Sequence, residues 1–295
     1  MALIQWYPGH MAKAKREVQE QIKKVDVVVE VRDARLPDSS KNPMIDAIIG
    51  DKARFIVLNK ADLADPRQSQ AWVEKLTGSQ VQAYALDAKN PRDIKKVRKV
   101  LTDFTQPLRQ KWADKGVKHK PIRLMVVGIP NVGKSTFINQ FTGKKRADVG
   151  NKPGVTKGQQ WLKIDDDFEL LDTPGILWPK FEDQDRAQAL ALSGAIKDTH
   201  YYDDDIALFA LEFMGRYYPD YLVDKLALTP DEAHPPYAEV LMIITARQGF
   251  KDDYERAANK LILDFRAGRL GRMTLDRVED CYEVSDVQVG VNDNE

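Results

Sequence analysis

One loop constrains the fold more than any other part of the chain. Residues 128–135 read Gly-Ile-Pro-Asn-Val-Gly-Lys-Ser, with an apolar run before them and a helical pattern that starts at Lys134. In this strand–loop–helix setting the glycines let backbone N–H groups turn inward around phosphates, and the helix N-terminus adds a favourable dipole. This phosphate loop predicts a nucleotide site in an α/β domain, but by itself it does not distinguish ATP from GTP.

The side chains of the phosphate loop have separate predicted roles. Lys134 is expected to neutralise the β- and γ-phosphates, and the hydroxyl of Ser135 is expected to bind Mg²⁺. The predicted nucleotide contacts in the loop and the first helical turn are Asn131, Val132, Gly133, Lys134, Ser135 and Thr136.

A second motif selects the base. Residues 59–62, Asn-Lys-Ala-Asp, follow the apolar run 54–58, and we name them the base loop. The carboxylate of Asp62 can accept hydrogen bonds from both the N1–H and the exocyclic amine of guanine. Leaving such a group buried and unpaired costs about 1–3 kcal/mol or more, so a polar site rejects the wrong base. After the next strand, a backbone N–H could meet the guanine oxygen, although a plain turn is an equal alternative there. The nucleotide-binding residues predicted on this side are Asn59, Lys60, Asp62, Ala88 and Lys89.

A third motif, Asp172-Thr173-Pro174-Gly175, is typical of the segment that senses the γ-phosphate. Asp172 is expected to hold Mg²⁺ through water, and the N–H of Gly175 is expected to contact the γ-phosphate. Thr156, in a loop flanked by glycine and proline, is the candidate for a second hydroxyl ligand of Mg²⁺. Such a loop suits a switch that becomes ordered only when the γ-phosphate is present.

The order of the motifs is unusual. An ordinary GTPase begins with its phosphate loop and ends with its base loop, whereas here the base loop comes first. Because strands alternate with helices, we predict a parallel sheet whose strands carry the motifs at their carboxyl ends. Strands are predicted at 25–31, 54–58, 81–86, 122–127 and 168–171, with a helix at 91–105 and a connector over 106–121.

Beyond residue 180 the pattern becomes helical. Helices are predicted at 184–196, 203–217, 238–248 and 252–267. The fold class is therefore α/β: a circularly permuted P-loop GTPase domain over residues 1–180, including a basic N-terminal helix. A smaller all-helical domain follows over residues 181–295 and ends in an acidic tail. Basic residues between Lys251 and Arg277 make RNA phosphates candidate partners of this domain, with a solvated helix face as the alternative.

The composition argues against a membrane-spanning protein and against one stabilised by disulfides. Hydrophobic residues make up 43% and charged residues 31% of the chain, as in a soluble globular protein. No apolar run reaches the length of about 18 residues that a membrane helix needs. Cys281 is the only cysteine, so an intramolecular disulfide is impossible. A cytoplasmic location is expected.

Hydrolysis requires a group that positions water. Many GTPases place glutamine after the glycine of the third motif, but this chain has Ile176 there. His10 is one candidate, with a packed or phosphate-contacting side chain as the alternative, and Asn131 could help to coordinate a monovalent cation. With His10, the predicted catalytic residues are Lys134, Thr156 and Gly175.

Together these motifs resemble the ribosome biogenesis GTPase A family of circularly permuted GTPases. The resemblance rests on residues 5–14, 33–37, 59–62, 128–135 and 172–179. It implies a GTPase that binds rRNA and assists late assembly of the bacterial large ribosomal subunit. It also implies that His10 acts in hydrolysis and that Asn131 goes with potassium-dependent activity. Away from the ribosome, a monomer is expected.

Two other functions stay open. An ATP-dependent P-loop kinase would use the phosphate loop, but it leaves the base loop unexplained. A non-catalytic RNA-binding scaffold would not need the intact set of Lys134, Ser135 and Asp172.

Overall fold

The computed structural model describes residues 16, 18–117, 120–143, 160–173 and 183–280 of the 295-residue chain. The strands in these ranges are β1 (Val27–Asp33), β2 (Arg54–Asn59), β3 (Val81–Leu86), β4 (Ile122–Val127), β5 (Gln160–Lys163) and β6 (Phe168–Asp172). The helices that accompany them are α1 (Pro43–Ile49), α2 (Pro66–Leu76), α3 (Pro91–Ala113) and α4 (Lys134–Thr142). Five more follow: α5 (Gln184–Ser193), α6 (Asp203–Tyr217), α7 (Pro219–Leu226), α8 (Tyr237–Arg247) and α9 (Tyr254–Arg266).

The strands form one sheet in the order β3-β2-β1-β4-β6-β5. Neighbouring strands are parallel except for β5 and β6, which are antiparallel. The register aligns Asp33 with Asn59, Asn59 with Leu86, and Val126 with Asp172. The three motifs therefore begin at the same edge of the sheet, and the predicted α/β fold with its permuted motif order is confirmed. The antiparallel edge strand β5 was not predicted.

Three helices begin with the same local signal. Asn42, Asp65 and Asn90 each precede a proline, and each side chain accepts a hydrogen bond from a backbone N–H of the first turn. The side chain satisfies a donor that has no partner within the helix, and proline at the first position has no N–H to satisfy. These caps place α2 and α3 directly after the loops that follow β2 and β3.

The predicted connector over 106–121 is wrong in its first half, because α3 continues to Ala113 through Pro107. Leu101, Phe104, Leu108 and Trp112 follow one another at helical spacing, and all four pack against the main core. This apolar stripe outweighs the loss of one backbone hydrogen bond at the proline.

The region after residue 183 is helical, as predicted, but α7 was not predicted. Its apolar residues Leu222 and Leu226 pack in the same core as α6, α8 and α9. The predicted domain boundary at residue 180 falls outside the described residues, and so does the tail from residue 281. None of the described helices is both long enough and apolar enough to span a bilayer.

After α9 the chain returns to the sheet. We name residues 272–278 the return segment. The N–H of Met273 donates to the carbonyl of Leu63 (3.1 Å), and the N–H of Leu275 donates to the carbonyl of Arg35 (2.7 Å). The indole of Trp72 in α2 donates to the carbonyl of Asp276 (2.8 Å). The helical part is thus fastened to the strand-containing part by backbone hydrogen bonds.

Part of the basic cluster proposed for RNA contacts has a different role. Arg266 donates to the carbonyls of Leu192 (3.0 Å) and Ala191 (2.9 Å), and Nη1 of Arg277 donates to the hydroxyl of Tyr218 (3.0 Å). These two arginines hold the helical part together. Lys251 and Arg256 remain exposed to solvent.

Candidate functional site

The side chain of Asn59 joins three loops. Its Nδ2 donates to the carbonyl of Val132 in the phosphate loop (2.7 Å), and its Oδ1 accepts from the N–H of Ala88 after β3 (2.9 Å). Asn59 lies at the end of β2, where the register of β1, β2 and β3 brings these loops together. One buried amide therefore fixes the phosphate loop relative to both predicted base-contacting segments.

The segment around Ala88 adopts a turn. The N–H of Lys89 donates to Oδ1 of Asp87 (2.8 Å), while the N–H of Ala88 is directed to Asn59. Contact of these backbone groups with a guanine oxygen stays a prediction.

The base loop turns sharply at Lys60, whose backbone φ is +62°. Its Nζ donates to Oδ2 of Asp33 at the end of β1 (2.8 Å), and Arg35 binds the same carboxylate through Nη2 (2.8 Å). Burial alone would raise the pKa of Asp33, but the charges of Arg35 and Lys60 hold it well below its usual range. Asp33 therefore stays ionised and anchors Lys60. Sequence reasoning assigned no role to Asp33, because its partner depends on the pairing of β1 with β2.

Two glycines give the phosphate loop its shape. Gly128 and Gly133 have φ values of +152° and +92°. A Cβ on Gly128 would lie 2.4 Å from the carbonyl oxygen of Val31, and a Cβ on Gly133 would lie 2.2 Å from Nδ2 of Asn59. Only glycine fits this close approach of the backbone to its neighbours.

Lys134 begins α4 and is buried. Its Nζ donates to the carbonyl of Ile129 across the phosphate loop (2.9 Å). Burial lowers the pKa of Lys134 to about 8, although the charge of Asp172 acts in the opposite direction. A group of phosphates beside this amine would favour its charged form.

Asp172 ends β6 as a buried residue, and the hydroxyl of Thr173 donates to the carbonyl of Val126 on the neighbouring strand (2.6 Å). With Ser135 in the first turn of α4, the site offers a hydroxyl and a carboxylate oxygen. Magnesium prefers oxygen ligands and usually takes few from the protein when phosphates supply others. The donor set therefore fits Mg²⁺, although among the described residues no group of three or more histidine, cysteine or acidic side chains is arranged to hold a metal ion.

The remaining predicted residues differ in what the structure shows of them. His10, Thr156 and Gly175 lie outside the described residues, so their roles stay predictions. Thr136 lies in the first turn of α4 beside Ser135. Asn131 has a φ of +61°, and its Nδ2 donates to the carbonyl of Gly194 at the end of α5 (2.7 Å). The phosphate loop thus contacts the helical part of the chain directly.

Asp62 is exposed, next to a second carboxylate. Partial desolvation of its carboxyl group raises the pKa of Asp62, and the negative charge of Asp87 raises it further. In the predicted contact, Asp62 must be ionised to accept two hydrogen bonds from guanine, so affinity for GDP is expected to fall as the pH falls through this pKa.

Replacing Asp87 by Ser is expected to shift that loss of affinity to lower pH, because it removes the neighbouring negative charge. The serine hydroxyl can still accept from the N–H of Lys89. Titration of GDP binding across the acidic range measures the shift, with Asp103→Ser on the exposed side of α3 as the control. An unchanged pH profile for Asp87→Ser would contradict the electrostatic link between the two carboxylates.

Several known proteins are similar to this chain along almost their whole length. The chain is 44% identical to ribosome biogenesis GTPase A of Priestia megaterium, over 92% of this chain and 96% of that protein. It is 43% identical to the protein of the same name in Bacillus cereus, over 97% of this chain and 98% of that protein. The solved structure of GNP-bound YlqF from T. maritima superimposes with a TM-score of 0.64 at 28% identity, covering 90% of this chain and 98% of that one.

A family profile described as 50S ribosome-binding GTPase matches residues 123–228, which include the phosphate loop and Asp172. The longer similarities also cover the base loop and the helical part. These matches favour a GTPase over the kinase and the scaffold considered from the sequence. The chain therefore belongs to the ribosome biogenesis GTPase A family and is a GTP hydrolase that acts in ribosome assembly.

Proposed function

We propose that this GTPase assists assembly of the large ribosomal subunit, acting in the cytoplasm as a monomer that binds the rRNA of a precursor particle. The bridge made by Asn59 carries the nucleotide part of the proposal, since it holds the phosphate loop beside the base loop. The ribosomal part is supported by the relatives named for ribosome biogenesis and by the match to a 50S ribosome-binding family.

The proposed nucleotide contacts follow from this arrangement. Asp62 reads the guanine base, and the backbone near Ala88 and Lys89 contacts its oxygen. Lys134 neutralises the β- and γ-phosphates, and N–H groups of the phosphate loop surround them. Ser135 and Thr156 would hold Mg²⁺ through their hydroxyls, and Asp172 would hold it through water. When bound, Mg²⁺ reduces the negative charge on the phosphate oxygens.

Hydrolysis in this proposal needs a substitute for the usual glutamine, since Ile176 has no polar group. His10 is the proposed group that positions the attacking water, and Gly175 contacts the γ-phosphate. A potassium ion beside the phosphates would use the carbonyl oxygen of Asn131. The structure holds the Asn131 side chain by a hydrogen bond from its Nδ2 to the carbonyl of Gly194.

The same hydrogen bond suggests how the nucleotide controls partner binding. It connects the phosphate loop to the end of α5, so a change at the γ-phosphate bears directly on the helical part. Because of the permutation, the chain also leaves Asp172 toward α5. We propose that the GTP and GDP states differ in the orientation of the helical part, and that the GTP state binds rRNA more tightly. A nucleotide shifts this equilibrium only by its different affinity for the two orientations.

Affinity for precursors of the large subunit is expected to be about 5- to 150-fold higher with a non-hydrolysable GTP analogue than with GDP, which is the usual range of such coupling. Sedimentation with purified particles measures this ratio, and small-subunit particles and an ATP analogue serve as controls. By reciprocity, the particles must increase affinity for the GTP analogue by the same factor. Equal affinities in the two nucleotide states would contradict the proposed nucleotide-dependent switch. Equal binding to small-subunit and large-subunit particles would contradict the assignment to the large subunit.

A further inference from the structure

The return segment holds the residues on both sides of Asp62. Arg272 donates through Nη2 to the carbonyl of Ala61 (2.8 Å) and through Nε to the carbonyl of Ala64 (2.9 Å). Between these contacts, the N–H of Met273 donates to the carbonyl of Leu63 (3.1 Å). Asp62 therefore lies in a stretch of backbone whose neighbouring carbonyls are bound from the helical part of the chain.

The next residues reinforce this attachment. The N–H of Asp65 donates to Oγ1 of Thr274 (3.1 Å), and Thr274 is fully buried. Gly268, with φ at +74°, passes so close that a Cβ there would lie 2.7 Å from Cδ2 of Leu63. Residues 268–274 therefore pack closely against the residues that follow Asp62, through both polar and apolar contacts.

The other side of the base loop is fixed as well. Lys60 is anchored on Asp33, and Arg35, which binds the same carboxylate, lies over the ring of Phe265 in α9 at 5.1 Å. The carboxylate of Asp62 is exposed. The residue two positions before it, Lys60, is bound by Asp33 at the end of β1, and the carbonyls of Ala61 and Ala64 are bound by the return segment. Surrounding contacts of this kind determine how precisely the ligand-binding atoms of a side chain are positioned.

We propose that Arg272 is a positioning residue for guanine selectivity: it holds the backbone around Asp62 so that both carboxylate oxygens meet the N1–H and the exocyclic amine of the base. Arg272 does not itself contact the nucleotide. The proposal rests on the role of Asp62 given above, and it makes guanine recognition depend on the docked return segment.

Inosine diphosphate provides the test, because hypoxanthine keeps the N1–H of guanine and lacks the exocyclic amine. In the wild type, GDP is expected to bind more tightly than inosine diphosphate, since only GDP uses both oxygens of Asp62. In Arg272→Ala the affinity for GDP is expected to fall about tenfold, which is the scale of one lost hydrogen bond to a charged group. The affinity for inosine diphosphate is expected to fall much less. The preference for GDP over inosine diphosphate therefore decreases. Calorimetric titration of both nucleotides measures this ratio.

Two further variants separate positioning from stability. Arg269→Ala removes a nearby arginine that pairs with Asp264 within the helical part, and it is expected to leave the ratio unchanged. Arg272→Lys can contact one of the two carbonyls and is expected to recover part of the preference. Because Arg272 is exposed, its replacement leaves the core intact, and thermal unfolding of each variant verifies this.

The outcomes are distinct. If Arg272→Ala weakens both nucleotides equally, or neither, while the wild type prefers GDP, then Arg272 does not position Asp62 and the inference is overturned. If the wild type itself binds GDP and inosine diphosphate equally, Asp62 does not read the amine, and the proposed base contact fails along with this inference.

Discussion

Changing Asp62 to Asn is expected to transfer the nucleotide preference from guanosine to xanthosine. Guanine offers two donors to the carboxylate, whereas xanthine offers the N1–H donor and a carbonyl oxygen. The amide of asparagine presents one acceptor and one donor, which matches xanthine and opposes the amine of guanine. Loss of the matched contact costs about 1–3 kcal/mol, or roughly 5- to 150-fold in affinity for GDP. Competition between GDP and xanthosine diphosphate measures the transfer.

The matched control is Asp51→Asn, which alters an exposed carboxylate in the turn before β2. It is expected to bind GDP as the wild type does. If Asp62→Asn also bound GDP with undiminished affinity, the base loop would have to be assigned a role other than base recognition.

Lys134→Met is expected to lower affinity for GDP and GTP by at least about 3 kcal/mol, or roughly 150-fold, because it removes charged hydrogen bonds to the phosphates. The variant keeps most of the side-chain volume and removes a buried amine, so the fold without nucleotide is expected to remain as stable as the wild type. Lys163→Met is the control, since the side chain of Lys163 is 68% exposed.

A pH titration gives this prediction a second measurement. Burial lowers the pKa of Lys134 to about 8. The amine is charged below that pKa and neutral above it, and the phosphates require the charged form. Affinity of the wild type for GDP is therefore expected to decrease as the pH rises through this range, and Lys134→Met should lack that decrease. Wild-type affinity in Lys134→Met would exclude the amine from the phosphate site.

The elements that could be predicted from the sequence are those whose signal is local. The limits of β3 and β4 agree with the predicted ranges. β4 is apolar at every position except Arg123, as is typical of a strand in the interior of a parallel sheet, whereas β3 is an edge strand of mixed burial. The prediction failed at Pro107, where packing of Leu108 and Trp112 outweighs the local preference of proline. It also missed β5, which is short and pairs at the edge of the sheet.

The candidate site shows the same division. The phosphate loop and the base loop could each be identified from the sequence, because each is defined by residue types at fixed spacing within a short segment. The anchor of Lys60 on Asp33 depends on which residues β1 and β2 align, and the contacts of Arg272 depend on residues far apart in the chain. Charge alone made Arg266 and Arg277 candidates for RNA, since their distant partners, the carbonyl of Ala191 and the hydroxyl of Tyr218, become visible only when the helices pack.

The position of the return segment near the end of the sequence matters for the nascent chain during translation. A ribosome makes the base loop and the phosphate loop before it makes residues 272–278, so a nascent chain carries both loops while their support is still missing. If Arg272 positions Asp62 as proposed, guanine selectivity is complete only after Arg272 has been made and has bound the carbonyls of Ala61 and Ala64. A message that stops before codon 272 would yield a protein with every nucleotide motif intact and an unfinished site.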